Sequence, residues 1–171
     1  MDENWWQSTL SGQPLNQLKS TIQRDGLWYR CDTEWSDSEP SVDTFCLDEF
    51  NYYYQHLYGE VILRQETADF AFVAEFQWQN WNDLILNLRK DGLVMRSVQF
   101  DKEEYNVLSS LDQKPAQDVD KEVILMMNRY PPEASRTIRW VRASEFKATS
   151  PSLEVSLISD GEMITLRVTR F

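Results

Sequence analysis

The chain contains one histidine, two cysteines and five glycines, and these low numbers restrict the catalytic chemistry that it can offer. A serine or cysteine nucleophile activated by histidine would have to use His56. Glycine-rich phosphate loops, G-x-S-x-G and H-E-x-x-H are all absent from the sequence. A glycosidase would need two carboxylates across a cleft, but the spacing of Glu60, Glu75 and Asp83 singles out no such pair. We therefore predict that the protein is not an enzyme.

Metal-binding patterns are also missing from the sequence. Cys31, Cys46 and His56 lack the short C-x-x-C or H-x-x-x-H spacing of zinc sites. The loop that follows Cys31 carries oxygen ligands of the kind that calcium prefers, at Asp32, Glu34, Asp37 and Glu39. This loop has neither the glycine nor the closing glutamate of an EF-hand, so a calcium site here is only an alternative to a solvated acidic loop. We expect no metal and no cofactor.

Long apolar runs are absent as well. No stretch approaches the roughly 20 apolar residues that cross a bilayer, and MDENWWQSTL at the start has no feature of a signal peptide. We expect a cytoplasmic protein that does not bind membranes. Because cytosolic thiols are kept reduced, Cys31 and Cys46 are expected to be free. A 31–46 disulfide is the alternative if a leader belongs to the natural protein.

The charge of the chain is strongly negative and unevenly distributed. There are 28 acidic against 17 basic residues, a formal net charge of −11. Residues 129–171 hold seven bases and five acids, so the excess of acid lies entirely in residues 1–128. A field of this sign repels nucleic acid and anionic lipid and attracts basic proteins. We predict a basic protein partner and no nucleic-acid binding.

The segment 31–63 combines eight carboxylates with seven aromatic rings and contains no lysine or arginine. Aromatic anchors surrounded by charge are typical of protein interfaces. We expect this segment to face solvent and to bind the partner. The candidate partner-binding residues are Asp32, Glu34, Trp35, Asp37, Glu39, Asp43, Asp48, Glu49 and Tyr53. The hypothesis is an acidic binding protein, for example an immunity or inhibitor protein that neutralises a basic toxin.

Two other functions are compatible with the sequence. The first alternative is a small-molecule binder that holds a flat apolar ligand against an antiparallel sheet. The rings that would line this pocket are Phe70, Phe72, Phe76, Trp78 and Trp140. The second is an acidic mimic of nucleic acid that competes for a DNA-binding protein. The competing structural interpretation is that the rings fill the core and the acids are merely solvated.

Hydrophobic periodicity predicts a single α+β domain over residues 1–171, with residues 1–13 as a loosely ordered arm. Apolar spacings of three and four predict helices at 14–26, 80–92 and 118–130, and also at 46–58, where a tyrosine-rich strand is the alternative. Alternating patterns predict seven strands, at 27–35, 59–67, 68–78, 93–100, 137–146, 152–159 and 162–171. The expected architecture is an antiparallel sheet packed by two to four short helices as a two-layer sandwich.

One internal similarity suggests a repeat. Residues 15–30 and 81–96 match at six of sixteen positions when they are aligned, and each copy contains an Asp-Gly pair. Both copies read as an amphipathic helix, a stop and a strand. The similarity is explained if two unrelated helix-turn-strand segments each end their helix with the common Asp-Gly pair. The alternative is two degenerate helix-turn-strand units in one sheet.

Overall fold

The computed structural model describes residues 4–32 and 42–171. Within those ranges, five helices and one short 3-10 turn accompany nine strands, and all nine strands belong to one antiparallel sheet. The helices are α1 (Asn4–Ser11), α2 (Leu15–Arg24), α3 (Trp78–Lys90), α4 (Val107–Leu111) and α5 (Ala116–Arg129). The strands are β1 (Tyr29–Arg30), β2 (Asp43–Tyr52), β3 (Gln55–Leu63), β4 (Ala68–Glu75), β5 (Leu93–Phe100), β6 (Glu104–Asn106), β7 (Arg136–Arg142), β8 (Leu153–Ser159) and β9 (Met163–Arg170). The α+β class is therefore confirmed.

The order of the strands divides the sheet into two similar halves. The order is β1-β2-β3-β4-β9-β8-β7-β5-β6, with every neighbouring pair antiparallel. One half is the meander β1–β4, which follows α2, and the other contains β5, β7, β8 and β9, which follow α3. The two halves join where β4 pairs with β9. The repeated segments 15–30 and 81–96 form α2–β1 and α3–β5, which both convergence and the two-unit alternative predict.

The predicted periodicities of the second half are confirmed. In α3 the residues Trp81, Leu84 and Leu88 are buried, at the spacing of one helical face. In α5 the buried residues are Val119, Val123 and Met126. Helix α5 begins two residues earlier than we predicted, after Pro115, and Asp118 lies in its first turn.

One face of the sheet carries an aromatic core. Phe70 and Phe72 of β4 point inward and are at most 2% exposed, and Trp140 of β7 is 1% exposed. Trp5 of α1 packs on this face, with its ring centroid 4.8 Å from that of Phe50 and 5.8 Å from that of Phe72. Residues 4–11, which we expected in a loosely ordered arm, therefore form a helix that is part of the core.

The helix predicted over 46–58 is wrong, because this segment forms the β2–β3 hairpin. A register shift interrupts the pairing between Leu47 and Phe50, both of which are buried. Such a β-bulge adds one residue to the strand and changes the spacing of inward side chains from two to three. That spacing imitates a helical face. The turn residues are Tyr53 and Tyr54, so the Asn-Gly signal of a hairpin is absent too.

Cys31 and Cys46 form a disulfide, so the expectation of free thiols is wrong and the bridged alternative is correct. The bridge connects the residue after β1 to the middle of β2, with a Cα–Cα distance of 5.8 Å. Strand β1 is shorter than the strand predicted over residues 27–35, and residues 33–35 of that prediction lie outside the described part.

Three arginines of the second half are used inside the fold. Buried Arg170 donates hydrogen bonds to the carbonyls of Ser8 and Thr9 at the end of α1, and Arg142 donates to Leu10 there. Arg136, also buried, donates to the carbonyl of Met127 in the last turn of α5 and to those of Tyr130 and Pro131 just after it. These guanidiniums satisfy carbonyls that a helix end leaves without partners. Burial lowers the pKa of both Arg136 and Arg170.

Candidate protein-binding surface

The structure places four of the nine predicted partner-binding residues in solvent. Asp32, Asp48, Glu49 and Tyr53 are exposed. Asp43 is half-buried and pairs with Arg30 at 3.0 Å, so its charge is partly neutralised. The remaining four predicted residues lie outside the described ranges: Glu34, Trp35, Asp37 and Glu39.

The aromatic residues of the segment divide between the core and the surface. Phe45, Phe50 and Tyr52 are buried, with at most 5% exposure. Three tyrosines beside them remain in solvent, and their exposures are 43% for Tyr53, 98% for Tyr54 and 41% for Tyr58. The expectation that the segment faces solvent is thus confirmed for its tyrosine-rich end and wrong for the inward side of β2.

Tyr53 and Tyr54 form the two-residue turn of the hairpin, and both have positive φ, 48° and 73°. Two-residue turns of this kind favour Asn-Gly, because in the left-handed region the Cβ atom lies too close to the following carbonyl oxygen for most residues. Each such residue costs on the order of 1–2 kcal/mol. Tyr53 is held by Asp91, to which its hydroxyl donates at 2.5 Å. The turn therefore presents the ring of Tyr54 from an anchored backbone.

A second group of tyrosines and acids lies on the side of the sheet opposite the aromatic core. Tyr29 of β1 donates a hydrogen bond to Asp48 at 2.5 Å, and this bond raises the pKa of Tyr29 to about 12. Partial burial, together with the charges of Glu60 and Asp48, raises the pKa of Tyr58. Tyr29 is 45% exposed.

We call Tyr29, Asp48, Tyr54, Tyr58 and Glu60 the tyrosine-acid surface. Its members extend along β1, β2 and β3 from the hairpin turn towards the disulfide, because Cys46 is the register partner of both Tyr29 and Glu60. Asp48, Glu49 and Glu60 have no lysine or arginine within ion-pair distance in the described ranges. The surface therefore combines exposed rings with unneutralised carboxylates.

His56 lies at the edge of this surface and contacts Glu49, with 2.5 Å between Nδ1 and Oε1. Both side chains are more than half exposed. The cysteines are bonded to each other, so neither can supply a thiolate to this imidazole. Across residues 4–32 and 42–171, no group of three His, Cys, Asp or Glu residues is placed to hold a metal ion.

The aromatic pocket of the alternative hypothesis does not form where we expected it. Phe70, Phe72 and Trp140 are sealed in the core, and their rings pack on other side chains. Phe76 is partly buried against Trp78 at a ring distance of 5.1 Å. A flat ligand therefore has no access to Phe70, Phe72 or Trp140, whereas Trp78 is 44% exposed.

Sequence reasoning missed four members of the tyrosine-acid surface as partner-binding residues, namely Tyr29, Tyr54, Tyr58 and Glu60. The helix predicted over 46–58 assigned Tyr54 to a buried face. A strictly alternating pattern places Tyr52, Tyr54 and Tyr58 on one face, so it could not have separated buried Tyr52 from exposed Tyr54 and Tyr58. Tyr29 carried no such signal, because its neighbour Asp48 is nineteen residues away in the chain.

No described helix has the length and apolar composition required to cross a membrane. Comparison of the chain with protein-family models, curated proteins and solved structures found no match.

Proposed function

We propose that the protein binds a basic protein partner through the tyrosine-acid surface. The observation that carries the proposal is Tyr54, which is 98% exposed on a turn whose backbone conformation disfavours tyrosine. Strained residues are retained where the surrounding structure and function require them. Tyrosine is also among the residues that contribute most binding energy at protein interfaces.

The charge of the surface supports a basic partner. Asp48 and Glu60 project beside exposed tyrosines and have no basic neighbour within ion-pair distance in the described ranges. The chain as a whole has a net charge of −11, so the negative field is not limited to this surface. Complementary charge accelerates association and selects against acidic partners. Neutralisation of a basic toxin, as by an immunity or inhibitor protein, is the narrower form of this proposal.

The location of the protein belongs to the same proposal. Disulfides persist in oxidising compartments and are rare in the cytosol. The Cys31–Cys46 bridge therefore argues against the predicted cytoplasmic location and for a partner met in an oxidising compartment. Alkylation of free thiols in intact cells, followed by mass measurement of the protein, distinguishes the two locations.

Affinity purification with matched variants tests the binding proposal. Asp48→Lys with Glu60→Lys reverses two charges on the surface, and Asp112→Lys with Asp118→Lys makes the same change in net charge elsewhere. We expect basic proteins to be enriched by the wild type and by the control pair, and lost with the surface pair. With the isolated partner, the surface pair should slow association roughly tenfold, and added salt should weaken binding.

Tyr54→Ala tests the aromatic anchor separately from the charge. Loss of an interface tyrosine typically costs more than about 1 kcal/mol, so the dissociation constant should rise at least about fivefold. Phe171→Ala is the control, because Phe171 is an exposed ring outside the surface. Equal loss of binding in both variants, or in neither, would exclude Tyr54 as an anchor.

A further inference from the structure

A groove of about 870 Å³ lies between α3 and α5, far in sequence from the tyrosine-acid surface. Leu93 and Met95 of β5 form part of its floor and are at most 8% exposed. Its walls include Leu86 of α3 and Ile124 of α5, which are 52% and 55% exposed. The floor is thus continuous with the core, while the walls leave apolar side chains in solvent.

The shape and lining of the groove suit a flexible chain better than a flat ring. Small-molecule sites commonly occupy about 300–1,000 Å³ and are mainly apolar, and this groove falls within that range. Its lining consists mostly of aliphatic side chains and methionines, with Phe146 as the one aromatic ring among the described lining residues. Methionine is flexible and adapts to irregular apolar partners.

Arg89 gives the groove a cationic edge. It lies in the last turn of α3, and its guanidinium contacts the sulfur of Met95 at 4.0 Å. No carboxylate of the described ranges is within ion-pair distance of Arg89. By contrast, Arg129 and Arg142 each pair with a glutamate. A cation without an anionic partner beside an apolar groove is complementary to a carboxylate that carries an apolar chain.

Asp120 of α5 is the acidic residue in the described lining of the groove. Its negative charge disfavours a second carboxylate on the α5 wall. The head group is therefore directed to the α3 wall, where Arg89 lies.

We propose that this groove binds a long-chain carboxylate, with the alkyl chain along Leu86 and Ile124 and the carboxylate paired with Arg89. The inference is independent of the binding of a protein partner, because none of its residues belongs to the tyrosine-acid surface.

Calorimetric titration with dodecanoate, below its micellar concentration, tests the proposal, and dodecanol serves as the uncharged probe. Arg89→Gln should weaken dodecanoate binding by about tenfold or more and leave dodecanol binding unchanged, since a charge-assisted hydrogen bond is lost. Lys90→Gln removes an adjacent exposed cation that does not line the groove, and should leave both affinities unchanged. If Arg89→Gln and Lys90→Gln act equally, the assignment of the head group is overturned.

A second matched pair of variants tests the apolar part of the groove. Ile124→Glu places a charge in the groove, whereas Leu125→Glu places it on the neighbouring position of α5, which is 64% exposed and outside the groove. Only Ile124→Glu should abolish binding. Each added methylene of the probe should increase the affinity by up to about fourfold while the chain is still being buried. No binding of dodecanoate to the wild type, or binding that survives Ile124→Glu, overturns the proposal.

Discussion

The carboxylate of Asp91, at the C-terminal end of α3, accepts a hydrogen bond from the indole N–H of Trp6 in α1 at 3.0 Å. The hydroxyls of Tyr52 and Tyr53 donate to the same carboxylate, each at 2.5 Å. One acid thus connects α1, α3 and the hairpin turn. Because Tyr53 precedes Tyr54 in that turn, the position of the exposed ring depends on Asp91.

Replacement of Asp91 should destabilise the fold and loosen the turn. Asp91→Ala leaves the buried Tyr52 hydroxyl without its acceptor, and we expect the free energy of unfolding to fall by about 2–4 kcal/mol. Urea denaturation measures this loss. Asp83→Ala, on the same helix but outside this hydrogen-bond network, is the control and should change stability by less than about 0.5 kcal/mol.

Stability should also fall in alkaline solution. The hydrogen bond to Asp91 raises the pKa of Tyr53 from 10.0 to about 12, and burial with the same acceptor raises the pKa of Tyr52. The folded state therefore holds phenolic protons that the unfolded chain releases above pH 10.0. The free energy of unfolding should be insensitive to these groups below that pH and should decrease as pH rises from 10 towards 12. Denaturation of Tyr53→Phe and Tyr52→Phe should show a shallower decrease.

Gly59 of β3 should not tolerate a side chain. A Cβ atom there would lie 2.8 Å from two ring carbons of Phe72, which is fixed in the core. We expect Gly59→Ala to cost about 1–3 kcal/mol through overpacking. Gly26 has nothing within 4 Å of its Cβ position, so thermal unfolding of Gly26→Ala should resemble that of the wild type. An unchanged melting temperature in Gly59→Ala would contradict this packing.

Arg170 should contribute more to stability than Arg167, although both lie on β9. Arg170 is 2% exposed and donates to carbonyls at the end of α1, whereas Arg167 is exposed on the other face. Arg170→Met removes these hydrogen bonds and the one to the carbonyl of Gln13 and should cost about 1–3 kcal/mol, but Arg167→Met should cost less than about 0.5 kcal/mol. Equal denaturation midpoints for the two variants would argue against the capping role.

Reduction of the disulfide should weaken the first half of the sheet. The bridge closes a loop with a sequence separation of 15, for which chain entropy gives about 3 kcal/mol. We expect reductant to decrease the free energy of unfolding of the wild type by that order. The same treatment should leave the free energy of unfolding of the double variant Cys31→Ser/Cys46→Ser unchanged. Mass measurement after alkylation without reductant should detect no free thiol in the wild type.

Much of the fold could be predicted from local patterns. Helices α3 and α5 and the strands β8 and β9 follow simple periodicities, since each buries one regular face. The β2–β3 hairpin could not be recognised, because its bulge between Leu47 and Phe50 shifts the apolar spacing to three. The sequence could not determine whether Cys31 and Cys46 are bonded, because pairing of two cysteines depends on the compartment and not only on their spacing.

The candidate surface could be located in the sequence only as a segment. Composition identified the region around Asp48 and Glu49, but exposure of each ring depends on which face of the strand it occupies. Tyr52 is buried at the end of β2, whereas Tyr54 is exposed because it lies in the turn that follows. The contacts of Asp91 had no signal in the sequence, since its partners Trp6 and Tyr52 are distant in the chain.

The seam between β4 and β9 has a consequence for any attempt to express the two halves separately. The edge strand of each half, β4 or β9, is now covered along eight register pairs, from Ala68 to Glu75 on β4. In an isolated half this hydrogen-bonding edge would be bare. Bare edges of this length recruit other strands. Isolated halves should therefore self-associate, and mixing them should restore a stable heterodimer at the expense of aggregates.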